Sequence, residues 1–223
     1  MVCPWCAIGK AHLNAALAEF EHADEVEVVW RSFELDPGAP PVRDGDYATL
    51  LGRKYGTGPA GGQAMIQRVT RAAADAGVTF HLEQARPGNS FDAHRLVHLA
   101  ADRGLQTQVK ERFFRGYHTE GQAVGDHEVL ERLAVDAGLD QAEVREVLGS
   151  DAYADAVRAD EAEGARLGVS GVPMFLVDGR FAIPGAQPAE VILATLRRAW
   201  DSAKPAITVV GDGQTCGPDG CAV

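Results

Sequence analysis

Positive charge is scarce in this chain, since 21 Lys and Arg residues stand against 32 Asp and Glu residues and give a formal net charge of −11. Such an acidic surplus disfavours binding to phosphate backbones and anionic lipid surfaces. No apolar run approaches the roughly 20 residues that a membrane-spanning helix needs. We therefore expect neither nucleic acid nor a membrane among the partners of this protein.

We expect no targeting segment, because only two residues precede the first cysteine, Cys3. A secretory signal peptide needs about 15–30 residues, so we expect a cytoplasmic protein. In that reducing compartment, cysteines serve catalysis or metal binding more often than structural disulfides.

Two common cofactor signals are absent as well. No glycine-rich phosphate loop is found, so nucleotide binding is not expected. Among the seven histidines, only His94 and His98 have the i, i+4 spacing of a shared metal site, and no third ligand accompanies them. We expect no bound organic cofactor and no resident metal. The 223 residues, 46% of them hydrophobic, suffice for one large domain or two small ones.

The most informative feature present is a pair of cysteines, Cys3-Pro4-Trp5-Cys6, followed by a helical pattern to Leu17. The two-residue spacing places both thiols on one helical turn, close enough to form a disulfide. Proline suits the first helical position, and the helix N-terminus carries about half a positive charge, which favours a thiolate. We expect Cys3 to be the more exposed thiol, with a pKa in the range of about 3.5–7.5.

Two other interpretations of this pair remain open. Half of a zinc site has the same spacing, but zinc needs two further ligands. The remaining cysteines, Cys216 and Cys221, have four residues between them, unlike the two of common zinc ribbons. An inert structural pair is the second alternative.

Strand-like segments lie on both sides of a long helical region. Residues 26–35 are rich in β-branched and aromatic side chains and predict a strand. Residues from about 46 to 167 show helical periodicity broken by Gly and Asn. Residues 168–185 predict two strands joined at Asp178-Gly179, and a helix is expected from Gln187 to Trp200.

Five motifs in sequence order give the chain a resemblance to a known family. They are Cys3-Pro4-Trp5-Cys6 with Ile8-Gly9-Lys10, Trp30-Arg31-Ser32-Phe33-Glu34-Leu35-Asp36-Pro37, Asn89-Ser90-Phe91-Asp92-Ala93-His94-Arg95-Leu96, Gly168-Val169-Ser170-Gly171-Val172-Pro173-Met174-Phe175, and Gly185-Ala186-Gln187-Pro188. Together they span nearly the whole chain. This ordered set resembles the DsbA-like thioredoxin-fold oxidoreductases, and among them the FrnE type.

The resemblance implies an α/β thioredoxin-like fold with a large inserted all-helical domain. Residues 1–40 and 168–203 would form the discontinuous thioredoxin-like domain, residues 41–167 the inserted helical domain, and residues 204–223 a C-terminal tail. It also implies a protein disulfide oxidoreductase or isomerase acting on protein or small-molecule thiols and disulfides.

The same resemblance gives roles to the dithiol residues. Cys3 would be the nucleophile that attacks a substrate disulfide, and Cys6 the resolving thiol that releases the substrate. Pro4 and Trp5 would tune the reduction potential. Because Trp5 has no titratable group, we expect the pKa of Cys3 to be less extreme than the value of about 3.5 in DsbA, and the pair to be less oxidising.

A second part of the site is implied at Val172-Pro173. In the family this proline is cis and faces the dithiol. The backbone of Val172 would then pair with the substrate as a short strand.

The chain departs from the family pattern at its start. The family places a parallel strand before the dithiol, in the middle of the sheet, and here it is missing. We expect a chain shortened at this end, with Ile207–Val210 as a second, weaker candidate for the gap. Without a replacement, the strands near Val28 and Phe175 would lack a hydrogen-bonded neighbour.

Cys216 and Cys221 flank Gly-Pro-Asp-Gly, a tight-turn sequence that would bring the two residues together. The pair is a candidate second redox centre that exchanges with Cys3 and Cys6. A labile metal-binding pair and a structural disulfide are the alternatives, although closing so short a loop gains little entropy.

The residues Asn89, Asp92, His94 and Arg95 begin a helix in the predicted insertion. One interpretation is a polar cluster that faces the substrate above the dithiol. The other is a helix cap followed by an ordinary solvated face.

Two different functions compete with thiol–disulfide exchange. One is a glutathione-dependent isomerase or transferase of the kappa or 2-hydroxychromene-2-carboxylate isomerase type, with glutathione as co-substrate. Such proteins resemble one another in a serine at the first motif position, where this chain has Cys3. The other is a non-enzymatic chaperone or metal-sequestering protein. The sequence leaves the oligomeric state open, a dimer included.

Overall fold

The computed structural model describes residues 1–203 and the backbone of residues 216–217 and 220–221. The elements in chain order are α1 (Pro4–Ala18), α2 (Tyr47–Lys54), α3 (Gly58–Asp75), α4 (Phe91–Asp102), α5 (Gln106–His118), α6 (His127–Asp136), α7 (Gln141–Leu148), α8 (Ala154–Arg166), β1 (Met174–Val177), β2 (Phe181–Pro184), α9 (Ala189–Ala203), β3 (Cys216–Gly217) and β4 (Gly220–Cys221). Short 3-10 turns lie at Ala23–Glu25 and Leu82–Gln84. No helix in this described part of the chain is long and apolar enough to cross a membrane.

Helix α1 lies between two hydrophobic cores and contributes side chains to both. Ala7 and Ile8 belong to the larger core, which we call the helical core because most of its members come from α3 to α7. Leu13 and Ala16 belong to the smaller core, which we call the hairpin core because it also contains residues of β2 and α9. The dithiol at the start of α1 is therefore fixed from both sides.

The helical core consists of large side chains that are almost entirely removed from solvent. Those with the least exposure include Leu96, Val109, Phe113, Tyr117, Leu130 and Leu133. The helices between residues 46 and 167 confirm the helical pattern predicted for this region. The limits of the inserted domain itself stay a prediction.

Strands β1 and β2 form an antiparallel hairpin in which Phe175 is opposite Ile183. The connecting Asp178 and Gly179 have φ values of 53° and 63°. Two consecutive positive φ angles define the type I′ turn that Asp-Gly favours, because its twist matches that of the flanking strands. The hairpin predicted from the sequence is confirmed.

The predicted strand over residues 26–35 is wrong, because this segment has no backbone ladder with any strand in the described residues. Its backbone instead bonds to side chains of the helices. The N–H groups of three alternate residues are the donors. Trp30 donates to Gln106 at 3.0 Å, Ser32 to Asp160 at 2.8 Å, and Glu34 to Glu161 at 3.2 Å. Alternation of this kind indicates an extended backbone, but an extended segment becomes a strand only beside a partner. Ile207–Val210, the second candidate for the gap, lies outside the described residues.

Arg95 of α4 connects that helix to the end of α7 and to the segment that follows it. It is 4% exposed, and its guanidinium donates to the carbonyl groups of Val147, Ser150 and Ala152 and to the carboxylate of Asp92. A planar guanidinium with five donors suits this convergent set of acceptors. The role of Arg95 is therefore to hold helices together.

We expect Arg95→Met to lower the free energy of unfolding by about 3 kcal/mol, because buried carbonyl groups lose the charged donor to which they were hydrogen-bonded. Chemical denaturation of the purified variant measures this. The matched control is Arg103→Met, which removes an exposed ion pair with Glu143 and should change the midpoint little. Equal effects of the two variants would contradict the structural role of Arg95.

Candidate active site

The dithiol occupies the start of α1, where the backbone changes from extended to helical. Cys3 precedes the first helical residue with φ −84° and ψ 114°, and Pro4 begins the helix. Proline costs nothing there, since its missing N–H would have had no partner within the helix. The thiols of Cys3 and Cys6 are both free.

The two thiols have very different proton affinities. Hydrogen bonding from the Cys6 thiol is the main cause that lowers the pKa of Cys3 to about 6, with help from the backbone N–H groups of Cys6 and Trp5, while burial acts in the opposite direction. Hydrogen bonding with Cys3 and burial raise the pKa of Cys6 far above its usual value. One thiolate and one thiol therefore coexist at neutral pH, and the thiolate resides on Cys3. The value of about 6 lies in the range predicted from the motif.

The peptide bond between Val172 and Pro173 is cis, as predicted. The Sγ atom of Cys3 lies 3.7 Å from the carbonyl oxygen of Val172, which accepts a hydrogen bond from Cys3 when this residue is a protonated thiol. The structure thus brings together two motifs that are 169 residues apart in sequence.

The sequence predicted that Cys3 is the more exposed of the two cysteines, and the structure shows the reverse. Cys3 is 7% exposed and buried, whereas Cys6 has intermediate exposure. The loop that contains Val172 lies against Cys3 and shields it from solvent. The prediction was made from α1 alone and did not include this loop. The neighbouring Trp5 is 38% exposed and offers an aromatic surface beside the dithiol.

Gly9 allows α1 to approach the cis-proline loop closely. A methyl group on Gly9 would lie 3.1 Å from Cγ of Pro173 and 3.2 Å from Cζ of Phe175. These distances are shorter than ordinary carbon–carbon contacts. The absence of a side chain at Gly9 therefore sets the spacing between the dithiol helix and Val172.

A cluster of buried charged and polar residues was missed by the sequence reasoning. Asp160 of α8, with its carboxylate 4% exposed, contacts His98 at 3.2 Å and Arg31 at 3.1 Å. Lys110 of α5 is buried with its Nζ 5.1 Å from the ring centre of Trp30. One sequence signal was present, since Lys110 shares the apolar face of its helix with Phe113, Phe114 and Tyr117.

The predicted substrate-facing cluster after Gly88 has structural roles instead. Asn89, one residue before the N-cap Ser90, accepts a hydrogen bond from the N–H of Phe91 at 2.7 Å and so satisfies the first free N–H group of α4. Asp92 bridges Arg95 and His127. His94 is buried, and neither ring nitrogen forms a hydrogen bond. The capping interpretation of this segment is the one that the contacts support.

The two C-terminal cysteines are directly opposite each other in the register of β3 and β4, where Cys216 pairs with Cys221. The Gly-Pro-Asp-Gly sequence predicted this backbone reversal. A redox or metal role for the pair stays a prediction. Within residues 1–203, no three His, Cys, Asp or Glu side chains converge as metal ligands.

Known proteins share the sequence pattern and the fold of this chain. A family model described as the DSBA-like thioredoxin domain matches residues 1–197. The crystal structure of the "probable DsbA oxidoreductase" of Streptomyces coelicolor is similar to this structure, with a TM-score of 0.87 and 46% sequence identity. The match covers 100% of this chain and 95% of that one.

Two more distant relatives share the fold or the sequence pattern. The uncharacterized protein YwbO of Bacillus subtilis is 29% identical over 197 residues, which are 85% of this chain and 88% of that protein. A candidate protein disulfide isomerase of Nitrosomonas europaea has a TM-score of 0.62 at 18% identity, covering 90% of this chain and 91% of that one, and shows the fold alone. The family match, which covers most of the sequence, shows that this chain belongs to the DSBA-like thioredoxin domain family.

Proposed function

We propose that this protein is a thiol–disulfide oxidoreductase that cycles Cys3 and Cys6 between dithiol and disulfide. The observation that carries the proposal is the contact between the Cys3 sulfur and the carbonyl of Val172, next to the cis Pro173. The family membership and the name of the Streptomyces protein support the same reaction class.

The reaction follows from the different proton affinities of the two thiols. The Cys3 thiolate attacks one sulfur of a substrate disulfide, the substrate S–S bond breaks, and the first substrate thiolate leaves and takes up a proton. Cys6 then loses its proton and attacks Cys3, which breaks the mixed disulfide and forms the Cys3–Cys6 bond. The second substrate thiolate takes up one proton, so the substrate is reduced by two electrons and the enzyme is oxidised by two.

The backbone around Val172 provides a place for an extended substrate. The carbonyl of Pro173 accepts from the N–H of Gly185 at 2.8 Å, so Pro173 directs its backbone toward β2. The backbone of Val172 lies outside the ladder of β1 and β2, and its carbonyl oxygen faces the Cys3 sulfur. A peptide that pairs with this backbone would bring its disulfide to the nucleophile.

We further propose that the pair acts as a reductase or isomerase of the FrnE type in a reducing cytoplasm. A glutathione poise of roughly −220 to −260 mV keeps such a pair mostly as the dithiol. No organic cofactor is needed for this cycle, because the two thiols supply both electrons.

Serine variants test the cycle directly. We expect Cys3→Ser to abolish reduction of a disulfide substrate, because the nucleophile is lost. We expect Cys6→Ser to accumulate a mixed disulfide on Cys3, because the resolving thiol is lost. Mass spectrometry under acid quench identifies the adduct.

The matched control is the double variant Cys216→Ser, Cys221→Ser, in which the Cys3–Cys6 cycle should persist. Glutathione conjugation that survives Cys6→Ser would instead support the isomerase or transferase alternative. Chaperone activity that is unaffected by Cys3→Ser, with no thiol turnover, would support the non-enzymatic one.

The lowered pKa of Cys3 predicts a distinctive pH profile of alkylation. The rate should rise through a midpoint near pH 6 and be level above pH 7, because only the thiolate reacts. The unfolded protein should show a midpoint near the ordinary cysteine value of about 8.5. Iodoacetamide kinetics in the Cys216→Ser, Cys221→Ser background measure this. A midpoint near 8.5 in the folded protein would contradict the thiolate assignment.

Gly9→Val tests the contact between α1 and the cis-proline loop. The larger side chain should push Pro173 and Phe175 away from the dithiol and lower turnover about tenfold or more, since small displacements of reacting groups have large effects on rate. The matched control is Gly164→Val in α8, where a Cβ would meet only Val169 at 3.8 Å. Unchanged turnover of Gly9→Val would show that this spacing does not matter for the reaction.

A further inference from the structure

The loop between β2 and α9 contains Gly185-Ala186-Gln187-Pro188, a motif to which the proposed cycle gives no role of its own. The N–H of Gln187 donates to the carbonyl of Gly185 at 2.9 Å, which closes a three-residue γ-turn. Gly185 has a φ of 76°, a left-handed conformation that suits glycine. Residues 185–187, which we call the 185–187 turn, therefore hold their backbone groups in defined directions.

The 185–187 turn is bonded directly to the cis-proline loop. The N–H of Gly185 donates to the carbonyl of Pro173 at 2.8 Å. That bond lies next to the first pair of the β1–β2 ladder, Met174 with Pro184, so it continues the hairpin by one residue toward Val172. The side chain of Gln187 donates to the carbonyl of Pro184 at 2.9 Å and holds the turn against the end of β2. The position of the turn thus sets the direction of the Pro173 backbone.

The other side of the turn is bonded to the dithiol helix through His12. The Nδ1 atom of His12, a half-buried residue of α1, lies 2.8 Å from the carbonyl oxygen of Gln187. A carbonyl oxygen can only accept, so Nδ1 carries the proton in this contact. Gln187 precedes a proline, which restricts its backbone to the extended region and limits the directions open to this carbonyl. The bond connects residues that are 175 positions apart in sequence.

These contacts close a ring between α1 and the cis-proline loop. Gly9 lies three residues before His12, on the same face of the helix, and a methyl group on Gly9 would lie 3.1 Å from Cγ of Pro173. The helix therefore meets the loop twice, by direct packing at Gly9 and by the chain of hydrogen bonds that begins at His12. Packing limits how closely the loop approaches, whereas the hydrogen bonds limit how its backbone is turned.

His12 is too far from the thiols to act on them directly. At 1.5 Å per residue, it lies about 9 Å along the helix axis from Cys6 and about 13 Å from Cys3. A direct proton transfer between the imidazole and either thiol is therefore excluded by distance. Any effect of His12 on the reaction has to pass through the 185–187 turn.

We propose that His12 is a positioning residue for substrate binding: through the 185–187 turn it sets the backbone direction of Val172 and Pro173, the segment beside which an extended disulfide peptide pairs. This inference rests on the proposed function. Pairing of this kind needs a peptide backbone on the substrate. A small disulfide without such a backbone reaches Cys3 without the help of His12.

The inference predicts a loss that depends on the substrate. His12→Phe removes the donor and keeps an aromatic ring. We expect its rate constant with a disulfide-bonded peptide to fall about tenfold, because the pairing backbone is no longer held in its direction. With hydroxyethyl disulfide, which has no peptide backbone, the rate constant should change less than about twofold.

Single-turnover reactions measure both rate constants. The protein is reduced beforehand, in the Cys216→Ser, Cys221→Ser background, and mixed with one disulfide. In each reaction the dithiol is oxidised to the Cys3–Cys6 disulfide while the substrate is reduced to two thiols. Acid quench and mass spectrometry follow the protein through this change.

The position of the donor on the side chain gives a sharper test. The amide nitrogen of asparagine is as many bonds from the backbone as Nδ1 of histidine, whereas that of glutamine is as far as Nε2. We expect His12→Asn to restore the peptide rate constant to within about threefold of that of the unaltered protein, and His12→Gln to behave like His12→Phe. This pair carries the test if His12→Phe does not fold.

The matched control is His127→Phe, the same substitution at an exposed imidazole of α6 that pairs with Asp92. It should leave both rate constants unchanged. Equal losses with the peptide and with hydroxyethyl disulfide in His12→Phe would overturn the inference, because they indicate a general defect of the fold or of the dithiol. Equal rates of the asparagine and glutamine variants with the peptide would also overturn it.

The outcomes separate this inference from the function on which it depends. A full peptide rate constant in His12→Phe, while the unaltered protein reduces both disulfides, would overturn the role of His12 alone. Failure of the unaltered protein to reduce either disulfide would overturn the proposed function itself.

Discussion

The position of α1 between two cores is the constraint on which the candidate site depends. Ile8 is packed in the helical core and Leu13 in the hairpin core, so α1 cannot shift toward one without loss of contact in the other. Close packing transmits small displacements rather than absorbing them. Together with the bare Cα of Gly9, this double packing holds the Cys3 sulfur against the carbonyl of Val172.

Features that depend on a few consecutive residues were predictable from the sequence. Pro4 at the first helical position and Asp178-Gly179 in a type I′ turn need only their own backbone preferences, and both occur as expected. The cis bond before Pro173 was anticipated from the resemblance, since the base rate of about 5–6% for X-Pro bonds argues against it.

Features that depend on distant partners were predicted poorly. Residues 26–35 have the composition of a strand, yet their N–H groups bond to helix side chains such as Gln106 and Asp160, because strand pairing requires a neighbour that composition does not reveal. The exposure of Cys3 was misjudged for the same reason, since the covering loop lies 169 residues away in sequence. Arg95 looked like a surface residue, whereas its carbonyl acceptors lie more than 50 residues along the chain.

The cis-proline loop shows how distant parts of the chain bear on the chemistry of the dithiol. Trp5 adds no charge, and from that fact alone the pair is expected to be less oxidising than that of DsbA. The carbonyl oxygen of Val172 lies 3.7 Å from the Cys3 sulfur, where no property of the Cys-Pro-Trp-Cys motif indicates it. A carbonyl oxygen at that position accepts a hydrogen bond from a thiol and repels a thiolate, whereas the N–H groups at the start of α1 favour the thiolate. The protonation of Cys3 is therefore a property of the packed molecule, because the motif and the loop that covers it act in opposite directions.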